Sequence, residues 1–170
     1  MSSIELSLWD CDRLDELRPL WLALHAQHRE VAPAIGHLPA RADAESWARR
    51  RQAYSTWLTD PRSMLSVAEA GRSLVGYALA TVRPGFAGWA TGESMVELES
   101  LAVAAEHRGR GIGRLLLDEL RRITSEAGKT DIVLTVANAN ADALRFYERN
   151  GFVAGFPILI GPTAIVGVNP

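Results

Sequence analysis

The stretch Glu97–Leu117, ELESLAVAAEHRGRGIGRLLL, decides the fold of this chain. It reads as a strand, a short basic-glycine loop and a helix. The strand is the apolar run ending at Val103. The loop is Arg108-Gly109-Arg110-Gly111-Ile112-Gly113, and the helix carries Leu116, Leu120, Ile123 and Ala127 on one stripe. Such a junction favours an anion. The first N–H groups of a helix have no partner within it, and the helix dipole adds partial positive charge there. Glycines let the backbone approach a ligand closely. Arg108, Arg110 and Arg114 add forked donors suited to phosphate. The stretch therefore predicts a phosphate or pyrophosphate ligand.

Two common phosphate motifs are absent. A P-loop needs Gly-x-x-x-x-Gly-Lys-Ser/Thr, and the chain's Gly128-Lys129-Thr130 has Ile123 where the first glycine belongs, while a Gly-x-Gly-x-x-Gly fingerprint begun at Gly109 or Gly111 meets Arg114 or Leu116 where its third glycine belongs. The pattern present is Arg-x-x-Gly-x-Gly, from Arg108 through Gly111 to Gly113. Downstream stands Asn140-x-x-Ala143-x-x-x-Tyr147-x-x-x-Gly151-Phe152. Together the two motifs resemble the cofactor site of the GNAT family, the GCN5-related N-acetyltransferases, and the span between them holds the one helix and one strand that the family requires.

That resemblance implies an α/β fold of the GNAT type: a mixed, mostly antiparallel sheet of six to seven strands with about four helices, in a single N-acetyltransferase domain over residues 1–170. It implies acetyl-CoA as co-substrate and direct acetyl transfer to a primary amine. The cofactor residues it implies are Arg108, Gly109, Arg110, Gly111, Ile112, Gly113 and Arg114 for the pyrophosphate. The backbone of Leu101, Ala102 and Val103 would hold the pantetheine arm, with one N–H, that of Leu101 first, polarising the thioester carbonyl. Asn140 either contacts the cofactor or simply caps the following helix. Tyr147 either packs in the core or protonates the departing thiolate.

Amine acylation also needs a proton acceptor, and a carboxylate serves directly or through water. The central strand offers Glu97 and Glu99, which share a face unless a bulge intervenes. The resemblance ranks Glu99 first and Glu97 second; both are otherwise ordinary strand residues. No cysteine lies near either motif, which disfavours a covalent acyl-enzyme. The alternative is a non-catalytic acyl-CoA-binding or regulatory module, which would keep Arg108–Gly113 and be indifferent to loss of Glu99 or Tyr147.

The rest of the chain is that of an ordinary globular protein: 170 residues, 48% apolar, 22% charged. A net charge of −2 gives no sign of a nucleic-acid partner, and no apolar run approaches membrane-spanning length. A single cysteine, Cys11, excludes a disulfide framework, and the beginning of the chain has no basic and apolar leader pattern, so a cytoplasmic location is expected. No metal site is expected; His25 and His28 stand one turn apart without a partnering carboxylate motif, and His37 and His107 are isolated.

Residues 3–8 alternate as a strand, and Asp10 or Asp12 can cap a helix over Asp12–Glu30 with Leu14, Leu17, Trp21 and Leu24 on its apolar face. Residues 31–41 read as a loop and 43–58 as a second helix, whose Trp47, Tyr54 and Trp57 belong either to the core or to an acceptor pocket. Strands are predicted at 63–70 and 73–82 around a tight Gly71-Arg72 turn. A loop with Phe86 and Trp89 follows over 84–92. Residues 131–137 read as a strand buried on both faces and 141–149 as a helix. Residues 152–160 and 163–168 read as a closing hairpin, apolar enough to pack against a second subunit as a homodimer. The acceptor, a small-molecule or peptide amine, is left open.

Overall fold

The computed structural model describes residues 3–35 and 38–160. Among these residues the main sheet has five strands in the order β1-β4-β5-β6-β7. They are β1 (Ile4–Trp9), β4 (Met64–Ala70), β5 (Ser73–Pro84), β6 (Ser94–Val103) and β7 (Ile132–Leu134). A separate two-stranded ladder joins β2 (Ala34–Ile35) to β3 (Leu38–Pro39) within the predicted loop; His37 lies outside the described residues. All neighbours in the main sheet are antiparallel except β6 and β7. The β4–β5 hairpin turns at Gly71, whose φ of 63° lies in the left-handed region that such turns demand.

Among the described residues four α-helices cover the sheet: α1 (Arg18–Val31), α2 (Asp43–Trp57), α3 (Ile112–Glu126) and α4 (Ala141–Arg149). The first predicted helix is in fact two pieces. A 3-10 segment, Cys11–Leu17, is capped by Asp10, whose side chain accepts from the Asp12 N–H, and α1 begins only at Arg18. Pro19 explains the division, because a residue without an N–H is best placed in the first turn of an α-helix.

The sheet separates two apolar clusters. Leu14, Leu17, Leu20, Trp21, Trp47 and Tyr54 pack from α1, α2 and the 3-10 segment onto Leu65, Val67, Tyr77, Leu79 and Ala102. On the opposite face, Ile112, Leu116, Leu117 and Leu120 of α3 pack onto Ala68, Val75, Ala78, Ala80, Val96 and Leu98. The α3 stripe is turned toward its first residues: Ile112 and Leu117 are buried, whereas Ala127 is exposed.

Two strand expectations fail. The run 131–137 forms only the three-residue β7, and its residues are half-buried. It pairs with β6 alone, and no described strand covers its other edge. Residues 152–160 form no strand, leaving Val153, Phe156, Ile158 and Leu159 exposed. Apolar content made the segment look like a strand, but Pro157 in its middle has no N–H to give to a ladder. The other half of the predicted hairpin, 163–168, lies outside the described residues.

Candidate active site

β6 is interrupted by a bulge at Glu99. Leu79 of β5 faces Ser100 while the next residue, Ala80, faces Leu98, so Glu99 is the extra residue. The burial pattern records the same event. Val96 and Leu98 face the α3 cluster, and so do Leu101 and Val103, a step of three across the bulge instead of two. Beyond it, Ala102 joins the α1/α2 cluster. β6 also parts from β7 here. The parallel pairing runs only from Val96 to Leu98, so the β7-facing edge of Glu99–Val103 has no strand partner among the described residues.

A chain of buried hydroxyls holds the bulge. The Ser100 hydroxyl donates to the Glu99 carbonyl at 2.8 Å and accepts from the Tyr54 hydroxyl at 2.6 Å. Tyr54 has then spent its proton, so the Tyr77 hydroxyl 3.0 Å away is the donor to Tyr54. Burial raises both phenol pKa values, so the chain stays neutral at ordinary pH. It ties α2 and β5 to one carbonyl of β6.

Both carboxylates sit near this point. Glu99 accepts from the Thr81 hydroxyl at 2.9 Å, and Glu97 pairs with Arg83 at 3.1 Å. Glu99 is half-buried, and burial raises its pKa, helped by the charge of Glu97. The Thr81 hydrogen bond and the charges of Arg50 and Arg83 oppose that rise without cancelling it. A carboxylate tuned upward in this way is a better proton acceptor than an exposed one.

The glycine-arginine loop lies at the far end of β6. Gly109 and Gly111 have φ of 72° and 81°, and a Cβ on either would meet nothing within 4 Å. Gly111 caps α3 without a side-chain acceptor, and no acidic residue occupies the first turn. The N–H groups of Ile112, Gly113 and Arg114 therefore face outward without a neutralising charge. Gly113 is wedged between Val103 and Phe146, its would-be Cβ 3.8 Å and 3.5 Å from them. Arg108 folds back to donate from Nε to the Val103 carbonyl at 3.1 Å. Arg114 leans along the helix to Asp118 at 3.4 Å, and Arg110 is exposed. This cradle, open and lined by donors, fits a pyrophosphate.

Asn140 is buried and caps α4, its Oδ1 accepting from the Ala143 N–H at 3.1 Å. Tyr147 sits on α4 between Phe146 and Phe152, at ring distances of 5.1 Å and 5.5 Å, and packs on the cluster that contains Leu98 and Leu101. Burial alone pushes its phenol up to about 12. At the other rim of β6, Phe86, Trp89 and Phe156 meet edge to face at 5.0–6.2 Å, with Trp89 and Phe156 largely exposed. His25 does not gather ligands with His28; its Nε2 donates to the Arg41 carbonyl at 3.0 Å and its ring stacks on Trp21.

Sequence reasoning singled out Glu97, Glu99 and the loop, but missed Arg50, Thr81, Arg83 and Ser100, and read Tyr54 as a core or acceptor-pocket ring without the role of its hydroxyl. No local pattern marks them; they meet only once α2, β5 and β6 are packed.

A bulged central strand that parts from its parallel neighbour, followed by a glycine loop at a helix start, defines one class of α/β protein. The chain matches the model of the Acetyltransferase (GNAT) family over residues 21–152, and it belongs to that family. It is 33% identical over 93 residues to streptothricin acetyltransferase of Streptomyces lavendulae, covering 55% of this chain and 45% of that protein. It is 32% identical over 99 residues to N-acetyltransferase 8B of Rattus norvegicus, covering 57% and 42%. The alignments thus span less than half the length of these relatives. The fold is shared with aminoglycoside N-acetyltransferase AAC(6')-Iy in complex with CoA, at a TM-score of 0.70 and 16% identity over 96% of both chains. No described helix is long and apolar enough to cross a membrane.

Proposed function

We propose that this chain moves an acetyl group from acetyl-CoA to a primary amine by direct transfer. The observation that carries the reading is the bulge at Glu99, which brings a tuned carboxylate to the place where β6 loses its partner strand. Glu99 takes a proton from the acceptor's ammonium, directly or through one water, with Glu97 as the second carboxylate, and so frees the neutral amine. The amine nitrogen bonds to the acetyl carbon to give a tetrahedral oxyanion, which loses its remaining N–H proton to solvent and expels the CoA thiolate as the carbon–sulfur bond breaks, leaving the amide. The unpartnered edge of β6 at Leu101, Ala102 and Val103 holds the pantetheine arm, and the Leu101 N–H stabilises the oxyanion. Arg110 and the first N–H groups of α3 hold the pyrophosphate.

Tyr147 faces the departing sulfur. Burial holds its phenol above a typical thiol, at about 12. It hydrogen-bonds the developing thiolate, and the proton that ends on sulfur passes through this phenol or comes from solvent. Tyr147→Phe should lower kcat roughly 10–100-fold, the worth of one hydrogen bond to a charged group, with little change in acetyl-CoA affinity. Single-turnover measurement of CoA release checks it; full activity in the variant would remove Tyr147 from the reaction.

The reading as a whole is tested by CoA release from acetyl-CoA across a broad panel of amines. Amine-dependent release supports it, and binding of acetyl-CoA without release from any acceptor would favour the non-catalytic module. An intracellular location fits both this donor and the exposed, unpaired Cys11.

A further inference from the structure

We propose that Arg50 anchors an anionic group on the acceptor, so that the amine acetylated here carries a carboxylate or phosphate in the same molecule. The proposal rests on the acetyl-transfer reading and adds the acceptor's chemical class to it.

Four arginines among the described residues are not exposed: Arg29, Arg50, Arg83 and Arg121. Arg29 pairs with Asp43 at 3.1 Å. Arg83 pairs with Glu97, and Arg121 pairs with Asp118 and donates to the Asn150 carbonyl. Arg50 has neither an ion pair nor a hydrogen bond to any described residue. It is held instead by aromatic rings. Its guanidinium carbon lies 4.2 Å from the Trp21 ring centre, 5.6 Å from that of Tyr54 and 5.8 Å from that of Trp57. Ring faces hold a cation without using its hydrogen-bond donors. A partly buried fork of five N–H groups is thus positioned but unfilled, and a planar oxyanion is the group that such a fork matches.

Its place in the fold gives the fork a purpose. Arg50 projects from α2, one turn before Tyr54, whose hydroxyl supports the bulge. Its charge reaches Glu99, where it opposes the upward shift of that carboxyl, and reaches Tyr77 and His28 as well. Glu99 is nonetheless not its partner: Glu99 is bonded to Thr81, and the neighbouring Glu97 is paired with Arg83. Tyr54 joins the two neighbourhoods: its ring centre lies 5.6 Å from the Arg50 guanidinium carbon, and its hydroxyl meets that of Ser100, the residue after Glu99, at 2.6 Å. One small molecule with an amine at one end and an oxyanion at the other satisfies both. A polycationic acceptor has nothing to offer Arg50 and meets its charge as repulsion.

Matched acceptor pairs test this directly: L-phenylalanine with phenethylamine, L-lysine with cadaverine, and O-phosphoethanolamine with ethanolamine. For wild type, kcat and KM are read from CoA release. The expected result is a preference in kcat/KM of roughly 10–100-fold for the anionic member, the range for a charge-assisted pair. The first two pairs report a carboxylate and the third a phosphate. In Arg50→Met that preference should collapse to within about threefold through a higher KM for the anionic member. Arg50→Lys, with charge but no fork, should restore part of it. A wild-type enzyme that uses both members alike, or prefers the decarboxylated one, overturns the proposal even if Arg50→Met does not fold. Equal loss for both members in a folded Arg50→Met makes Arg50 a packing residue. No CoA release with any compound, against intact acetyl-CoA binding, overturns the transfer reading itself and this proposal with it.

Discussion

Glu99→Gln is expected to lower kcat by roughly 10²–10⁴-fold, the usual contribution of a positioned proton acceptor. The substitution keeps the side chain's length and its capacity to accept from Thr81, which now donates at 2.9 Å, so the fold and acetyl-CoA affinity should hold. The pH profile carries the specific signature. Burial raises the Glu99 pKa, and the group serves as a base only when ionised. Wild-type kcat/KM should therefore climb with pH through a value above that of a free glutamate, and level off once Glu99 is fully charged. In Glu99→Gln this acidic limb should vanish, leaving the titration of the amine itself. Steady-state rates from pH 4.5 to 9 check the point. If the limb survives in Glu99→Gln and disappears in Glu97→Gln, the proton goes to Glu97.

The second large effect is expected at Gly111. Gly111→Val should weaken acetyl-CoA binding at least about 100-fold, or roughly 2.8 kcal/mol. Two causes act together. A β-branched residue at φ of 81° is strained by roughly 1–3 kcal/mol, so the loop shifts and its N–H groups lose their aim. The new side chain also grows into the open space beside the first turn of α3, where no protein atom lies within 4 Å of a Cβ. Gly71→Val separates this local effect from general destabilisation. Gly71 has φ of 63° and equally open surroundings, but it sits in the β4–β5 turn, away from the loop. Both variants should unfold several degrees earlier than wild type. Only Gly111→Val should lose affinity in a calorimetric titration, and equal losses would mean that the effect is general destabilisation.

The two positions differ in how readily sequence discloses them. Gly109, Gly111 and the first turn of α3 form one contiguous structure, so the residues that build the anion cradle are adjacent in the chain. The Asn140 cap of α4 is local in the same sense and was readable for that reason. The bulge at Glu99 is a property of register between β5 and β6, which no feature of β6 alone announces. The hydroxyl chain behind it joins Tyr54 to Tyr77 and to Ser100, partners 23 and 46 residues apart. Arg50 escaped notice because an arginine on a helix is ordinarily solvated; only the rings of Trp21, Tyr54 and Trp57 and the lack of an ion pair among the described residues set it apart. The segment 152–160 misled in the opposite direction, since its apolar content suggested a strand while Pro157 has no N–H to give to a ladder.

The central claim is that the loop between β6 and α3 holds acetyl-CoA, and the thermal unfolding midpoint in its presence tests that most directly. A ligand at about 100 times its dissociation constant adds roughly 2.7 kcal/mol, which for a domain of this size moves the midpoint by about 5–10 °C. The account predicts such a shift with acetyl-CoA, and none with ATP or NAD at the same concentration. No shift at millimolar acetyl-CoA, or an equal one with all three, would contradict it.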